Sequence, residues 1–544
     1  MKTFGIDLGT TYSCIAFVDD TGHARVIRNT LGEETTPSVV YFENADNVVV
    51  GRDAKNVSRL EPNSVVSLIK REMGSDWQRE FDGYTHTPET VSALILRELA
   101  GYASEETQET VNDVVITVPA YFGVAEREAT RTAGTIAGLN VLNVISEPVA
   151  AALHYEATGT GEDRTILVFD LGGGTFDTTV IKLTGDDIHT VCTDGDKSLG
   201  GADWDQKIVD FLLDQFMDEN PDSDARASDE FVQDLSIAAE EIKKSLSAAQ
   251  SRRLPLRFGG DVCRAEVTRA DFEGFTAELL TRAGDITART VETAREAGID
   301  RFDDVLLVGG SSRMPAVSAM LQERFGFTPR LHEPDQAVAK GAAHFALIES
   351  IKDMFPDEPD GGSPSAATEE IVREAADKYG IMADKVRLLK EKSVTAVVPR
   401  AFGVKVLVDI DNGTEKSTRK HLISHILEAN RPLPAAPEKQ QYQTADPDMT
   451  SVVIEIWEQA GSVASSDLGD NTKIGEGVIS DLPALPKGSP IDVTFTMNDT
   501  GVLKVEAEEL RTHKKLKFDL RIKGLSGGKL QEAKDAVAGY DVSE

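Results

Sequence analysis

The chain has 544 residues and a formal net charge of −35, with 40% hydrophobic and 27% charged residues. That length exceeds what one hydrophobic core can organise, so two or three domains are expected. The acidity argues against a general nucleic-acid binder and against an anionic membrane surface as partner, because both call for an excess of Lys and Arg. Cys14, Cys192 and Cys263 stand far apart, with neither metal spacing nor a disulfide framework, which fits a reducing interior. The chain enters a strand pattern at Phe4-Gly5-Ile6 with no signal-peptide layout, and no run approaches twenty apolar residues. A cytoplasmic protein is expected.

Residues 3–18 read as two strands joined by a polar glycine turn, Gly9-Thr10-Thr11. Residues 89–104 carry Val91, Leu94, Ile95 and Leu99 at helical spacing, 114–118 read as a buried strand closed by Pro119, and 124–138 as a helix. Ile166-Leu167-Val168-Phe169 is a second buried strand, and it runs into Asp170-Leu171-Gly172-Gly173-Gly174-Thr175 before a strand resumes at Val180-Ile181. This repeats the first layout and predicts a duplicated supersecondary unit. Helices follow at 204–217 and 230–249, and a third buried strand at 305–308 ends in Gly309-Gly310-Ser311-Ser312. Alternating strands and helices predict an α/β fold. Residues 356–364 hold three Pro and two Gly among acids and read as a linker. Residues 367–391 suggest one or two amphipathic helices. From Val394 short alternating runs at 402–410, 451–457, 491–497 and 501–508 predict an all-β module, and 529–544 one short polar helix at most.

The two Asp-led turns carry the chemistry. Glycine turns present backbone N–H groups to phosphate oxygens, and Thr side chains add donors without crowding. Asp7 and Asp170 repel phosphate unless a cation lies between, and magnesium with retained waters is the natural choice. One such turn is an ordinary hairpin; two matching turns and a third Gly-Gly-Ser turn favour a polyphosphate. Lys70 could reach a transferring phosphate or be a solvated surface charge. Glu147 could orient an attacking water or serve as a first-turn helix acid.

These motifs, with Ile116-Thr117-Val118-Pro119-Ala120-Tyr121-Phe122, Glu147-Pro148, Leu199-Gly200-Gly201 and 308–315, resemble the 70-kDa heat-shock chaperone family in order and spacing along about 350 residues. The resemblance implies an actin/hexokinase-like two-lobed ATPase domain over 1–355. A linker with an extra helical segment over 356–393 would follow, then a β-sandwich peptide-binding domain over 394–525 and a short tail, 526–544, without the family's helical lid. It implies ATP and ADP as ligands, magnesium, and potassium as a further cation. The partners it implies are unfolded or extended polypeptide, a J-domain co-chaperone and a nucleotide exchange factor, in protein folding and the stress response. Gly9, Thr10, Thr11 and Tyr12 would hold one side of the phosphates, Gly173, Gly174 and Thr175 the other, with Gly200 and Gly201 nearby. Lys70 would stabilise the moving phosphoryl group and Glu147 would help place the water. Asp7 and Asp170 would hold magnesium through water, with Asp177 helping with cations. Glu240, Lys243, Lys244 and Ser247 would contact the adenosine, with Lys244 where Arg is common. Gly310, Ser311, Arg313 and Asp335 would line the adenine. Pro119 and Arg127 would relay between cleft and peptide domain, and Leu407, Tyr442 and Val452 would line the peptide groove or simply fill the sandwich core.

The departures are the linker, where Ser393-Val394-Thr395-Ala396-Val397 replaces a Leu-rich run, the helical stretch before it, and a shortened region between Lys70 and Val114 that would trim one subdomain. Without a lid and with a weak linker, domain coupling is in question and peptide should leave quickly. Three functions therefore stand: an ATP-driven peptide-binding chaperone, a nucleotide-sensing scaffold with one defined partner, and a small-molecule kinase of the same superfold.

Overall fold

The structure, a computed structural model, describes residues 1–81, 83–158, 162–355, 366–410, 418–461, 464–499, 501–520 and 528–543. The 356–364 linker and the sequence end of the β module near Leu525 lie outside them.

The predicted duplication is visible strand for strand. In lobe I, Phe4–Asp7 pairs antiparallel with Tyr12–Val18 and parallel with Asp113–Val118. In lobe II, Arg164–Leu171 pairs antiparallel with Phe176–Thr184 and parallel with Asp304–Val308. Both sheets extend in the same order, to Asn140–Ser146 and Ala24–Val26 in lobe I and to Arg330–Leu331 and Asp187–Asp196 in lobe II. The central strands are apolar because helices cover them, as buried parallel pairing requires. Between the sheets, helices Glu147–Thr158 and Ala337–Lys352 pack on each other. Their small residues, Ala150, Ala151, Ala342 and Ala343, are all fully buried and let the backbones approach. Lobe II also carries helices Gly201–Glu219, Asp229–Leu246 and Ala277–Glu296 and a hairpin, Ser251–Phe258 with Asp261–Thr268, around a core holding Trp204 and Phe216.

Two regions differ from expectation. Helices Ala366–Tyr379 and Ala383–Glu391, expected within the linker, bury Val372, Ala375, Tyr379, Val386 and Leu389 in the same core as Leu347 and Ile351 of the nucleotide lobes. The segment after them does not hang free: Ser393–Thr395 adds a parallel strand to Asp187–Asp196 at the edge of the lobe II sheet. The tail holds more than a polar helix. Helix Gly528–Gly539 packs on lobe I, and Asp541–Ser543 pairs with strand Asn47–Val50.

The β module is a sandwich of two four-stranded antiparallel sheets. One contains Phe402–Ile410, Thr418–Leu427, Val452–Gln459 and Asn471–Ile479; the other Ala435–Gln443, Pro490–Met497, Leu503–Glu509 and Lys514–Leu520. Phe402, Ile456, Val493, Phe495 and Val505, all fully buried, fill the space between them.

Candidate active site

Asp7 and Asp170 end the two equivalent buried strands, so their positions follow from the core behind them. The turns that follow face each other in contact. A Cβ on Gly173 would lie 2.0 Å from Thr11 Oγ1, and one on Gly174 would lie 2.5 Å from Thr10 Oγ1. Glycine is therefore required for this approach. The opening between the lobes is a cavity of about 350 Å³. Asp7, Gly9, Thr10, Thr11, Tyr12, Lys70, Glu147, Asp170, Gly173 and Thr175 line one end. Glu240, Lys243, Lys244, Gly310, Ser311, Arg313 and Asp335 line the rest.

Other residues expected here stand behind the lining. Gly201 N donates to Gly172 O at 2.9 Å, which braces the second turn, and a Cβ on Gly200 would sit 2.4 Å from the Gly174 backbone. Ser247 caps its helix, donating to Lys243 O at 3.4 Å, and is not among the lining residues. Asp177 is buried below the cleft and accepts from Tyr121 N at 3.0 Å.

Lys70 sits on a short helical turn that begins after Leu68, whose φ of 57° is left-handed and costly for Leu. The turn aims Lys70 inward, where its Nζ lies 2.5 Å from Glu147 Oε1; both residues are buried. Glu147 opens helix Glu147–Thr158 immediately after strand Asn140–Ser146, so strand and helix together set its place.

The floor carries more acid than base. Burial and the Glu147 charge push Asp7 up to about 7 and Asp177 up to about 8. Burial, Glu147 and Asp177 raise Asp170 well above the usual carboxylate range. Asp177 Oδ2 is buried without a hydrogen-bond partner among the described residues. Buried carboxylates with one lysine between them leave negative charge uncompensated, and a hard divalent cation suits that donor set. Among the described residues no group of three or more His, Cys, Asp or Glu is placed to hold a metal ion by itself. Magnesium here would therefore take oxygens from water or phosphate as well, with Asp7 and Asp170 on its protein side.

Tyr12 reaches towards the other end, where it donates to Glu240 Oε1 at 2.8 Å, while Lys55 and Lys244 pair with the same carboxylate and stand over the Tyr12 ring. Against burial, these lysines hold Glu240 down at about 2. Lys243 Nζ is fixed by Asp205 and Gly201 O, each at 2.8 Å, and Arg313 pairs with Asp335 at 2.5 Å. Sequence reasoning did not single out Asp205, Thr35 or Val338, which also line the cavity together with Gly309 of the third glycine turn. Asp205 falls one helical turn after Gly201, so it carried a signal; Thr35 carried none. Arg71 was missed too: it bridges the lobes through Gly174 O at 2.9 Å and Asp203 at 2.6 Å.

The Hsp70 protein family matches residues 3–355 and 402–538. The chain belongs to the Hsp70 family. Chaperone and ATPase function is thus established at the level of the family, as is the two-lobed ATPase fold followed by a β sandwich.

In this Hsp70-family chain, Pro119 and Arg127, the two residues expected to act as a relay, lie where the β module meets lobe I. Pro119 O accepts from Phe122 N at 3.1 Å, and Arg127 Nε donates to Phe122 O at 2.9 Å. Beside them Arg400, at the start of the sandwich, donates from Nε to Tyr121 O at 2.9 Å, stacks on the Tyr121 ring at 4.5 Å, and pairs with Glu126 at 3.2 Å and Glu458 at 3.6 Å. All three charged residues are buried. Glu458 also accepts from Val124 N at 3.2 Å, and burial pushes its carboxyl up to about 7. Of the three residues expected to line a groove or fill the core, Val452 is buried in the sandwich core, while Leu407 and Tyr442 are half-buried, with Tyr442 OH 3.0 Å from Ser424 Oγ.

Proposed function

We propose that this Hsp70-family protein binds ATP with magnesium between its lobes, hydrolyses it to ADP and phosphate, and uses its β sandwich to hold extended apolar peptide. The observation that carries the reading is the pair of glycine turns in contact across a cleft floored by Asp7 and Asp170, with Lys70 and Glu147 paired beside them. Backbone N–H groups of the turns, with Thr10, Thr11 and Thr175, orient the phosphates. Lys70 moves its charge onto the transferring phosphoryl group, which frees Glu147 to orient a water for in-line attack. Magnesium, when bound, neutralises phosphate charge that Asp7 and Asp170 would otherwise repel. Lys243, Lys244 and Glu240 hold the ribose end, and the Arg313 plane stacks on the base. Three free cysteines, all buried, suit a cytoplasmic setting, and J-domain and exchange-factor partners belong to the same reading.

Calorimetry with Mg·ATP, followed by phosphate release in single turnover, tests it. Binding heat and acceptor-independent phosphate are expected from the native chain, with turnover at least 100-fold lower in Asp170→Asn, in line with the loss of one preorganised electrostatic group. No binding heat, or undiminished turnover in the variant, removes the assignment. A nucleotide-sensing scaffold with one defined partner is the second reading. It is favoured by the burial of Val452, which leaves the groove with fewer open apolar positions. Titrating a Leu-rich peptide with and without ATP separates the two: equal affinity and unchanged turnover point to the scaffold.

A further inference from the structure

Between Lys70 and Val114, the stretch of lobe I expected to be short, the core is filled. The filling comes from far along the chain. Val537 and Tyr540, 1% and 3% exposed, share a core with Phe42, Phe81 and helix Pro88–Thr107. Tyr540 OH lies 3.1 Å from His86 Nε2, and its ring meets those of Phe42 and His86 at 6.1 and 5.8 Å. The Arg97 guanidinium donates to Tyr540 O at 2.7 Å and to Val537 O, so it closes the end of helix Gly528–Gly539. Strand Asp541–Ser543 then runs parallel to Asn47–Val50 and completes a four-stranded sheet with Val40–Asn44 and Val65–Val66. A twelve-residue helix is marginal alone in water, so these contacts are what keep it folded.

We propose that lobe I carries a docking site for the chain's own segment 528–543, and that its occupancy fastens the β module to lobe I and stiffens one wall of the cleft. The same subdomain bears helix Arg52–Val57, whose Lys55 reaches Tyr12 of lobe I at 3.1 Å and crosses the cleft to Glu240 of lobe II. The β module is thereby held at both ends, to lobe II through Ser393–Thr395 and to lobe I through Asp541–Ser543. Seven residues separate Leu520 from Gly528. A chain of that length spans at most roughly 25–30 Å. A larger excursion of the β module requires the segment to leave its site.

The effect on the cleft rests on the nucleotide reading; the docking itself does not. Both are tested in the full chain with a protease site inserted between residues 520 and 528. After cleavage, segment 528–543 should co-elute with the native protein and separate from Tyr540→Ala. Amide exchange over residues 47–50 should quicken at least ten-fold in that variant, and release of a fluorescent ADP analogue several-fold. Arg97→Lys, which keeps the charge but loses the two-carbonyl fork, serves should Tyr540→Ala not fold. Loss of the cleaved segment from the native protein, or unchanged exchange at 47–50 in the variant, overturns the proposal. A concentration-dependent dimer that retains the segment places the site between copies and also overturns it. Absence of nucleotide binding with co-elution intact counts against the nucleotide reading alone.

Discussion

Replacing Arg400 by Met removes the cation that pairs with both Glu126 and Glu458 while keeping much of the buried stem. In the structure the guanidinium is within 3.2 Å of Glu126, 3.6 Å of Glu458 and 2.9 Å of Tyr121 O. Removing one partner of a buried ion pair costs about 3–5 kcal/mol, because the charge left behind is uncompensated. That cost applies only while the β module is seated on lobe I, since both carboxylates regain water when it lifts away. The seated arrangement should therefore lose roughly 10²- to 4 × 10³-fold in population, at about 1.4 kcal/mol per tenfold. Amide exchange of Ser393–Thr395 and small-angle scattering would read this as a frayed linker strand and an extended particle. The pH dependence supplies a second arm. Glu458 is held up at about 7 when seated and returns to the ordinary range when exposed. A raised acid favours the state that raises it at low pH, and the advantage is lost as pH rises through 7. Arg400→Met should accordingly seat better at pH 6 than at pH 8, and Arg400→Met with Glu458→Gln should lose that slope. A single variant as compact and protected as the native chain at pH 8 would refute the argument.

Two further outcomes follow from local geometry. Gly174→Ala places a Cβ 2.6 Å from Thr10 Cβ, a clash no rotamer relieves, so the cleft must stay wider. At about 1–3 kcal/mol of overpacking, Mg·ATP affinity measured by calorimetry should fall roughly 5- to 150-fold; native affinity would show that the turns need not touch. His86, buried against Tyr540, is pushed down to about 4 by desolvation. Its folded value is depressed, so its contribution is complete above pH 6.5 and lost as pH falls towards 4, roughly 3 kcal/mol in all. Protection of strand Asp541–Ser543 should decline over that window in the native chain and decline less in His86→Gln; equal declines would assign the acid sensitivity elsewhere.

What could be read in advance depended on whether a residue's task leaves a local pattern. A phosphate turn must be glycine-rich and must follow a buried strand, so Asp7 and Asp170 with their turns announced themselves, and so did the duplication. Lys70 and Glu147 are single residues whose setting left a surface charge or a helix acid as open alternatives; the family resemblance gave them their roles, and the 2.5 Å pair depends on a contact between residues far apart in sequence. Helices Ala366–Tyr379 and Ala383–Glu391 looked like linker because a Pro- and Gly-rich stretch precedes them and charged residues dominate their surface. Their apolar stripe, Val372, Ala375 and Tyr379, was the signal that they pack. Strands Thr418–Leu427 and Ala435–Gln443 escaped because Lys, His and Gln mask the alternation on exposed faces.

The linker shows how a segment that lacks a Leu-rich run can still be fastened to lobe II. Ser393–Thr395 joins the lobe II sheet through register Asp187 to Ser393, Ile188 to Val394 and His189 to Thr395, and main-chain pairing of this kind is indifferent to most side chains. Only Val394 also packs against a core, the one around Ile188 and Leu389. A Leu-rich run would bury more apolar surface there, at roughly 25 cal/mol per Å². Its absence should make the strand easier to detach without altering where it attaches. The Arg400 cluster and segment 528–543 supply independent fastenings on lobe I, so the β module's position does not depend on the linker alone. Replacing Val394 by Leu should then strengthen protection of Ser393–Thr395 modestly in the native chain and much more in Arg400→Met, where the linker is one of the few attachments left. Equal gains in both backgrounds would mean that the fastenings act separately and that the linker alone governs its own strand.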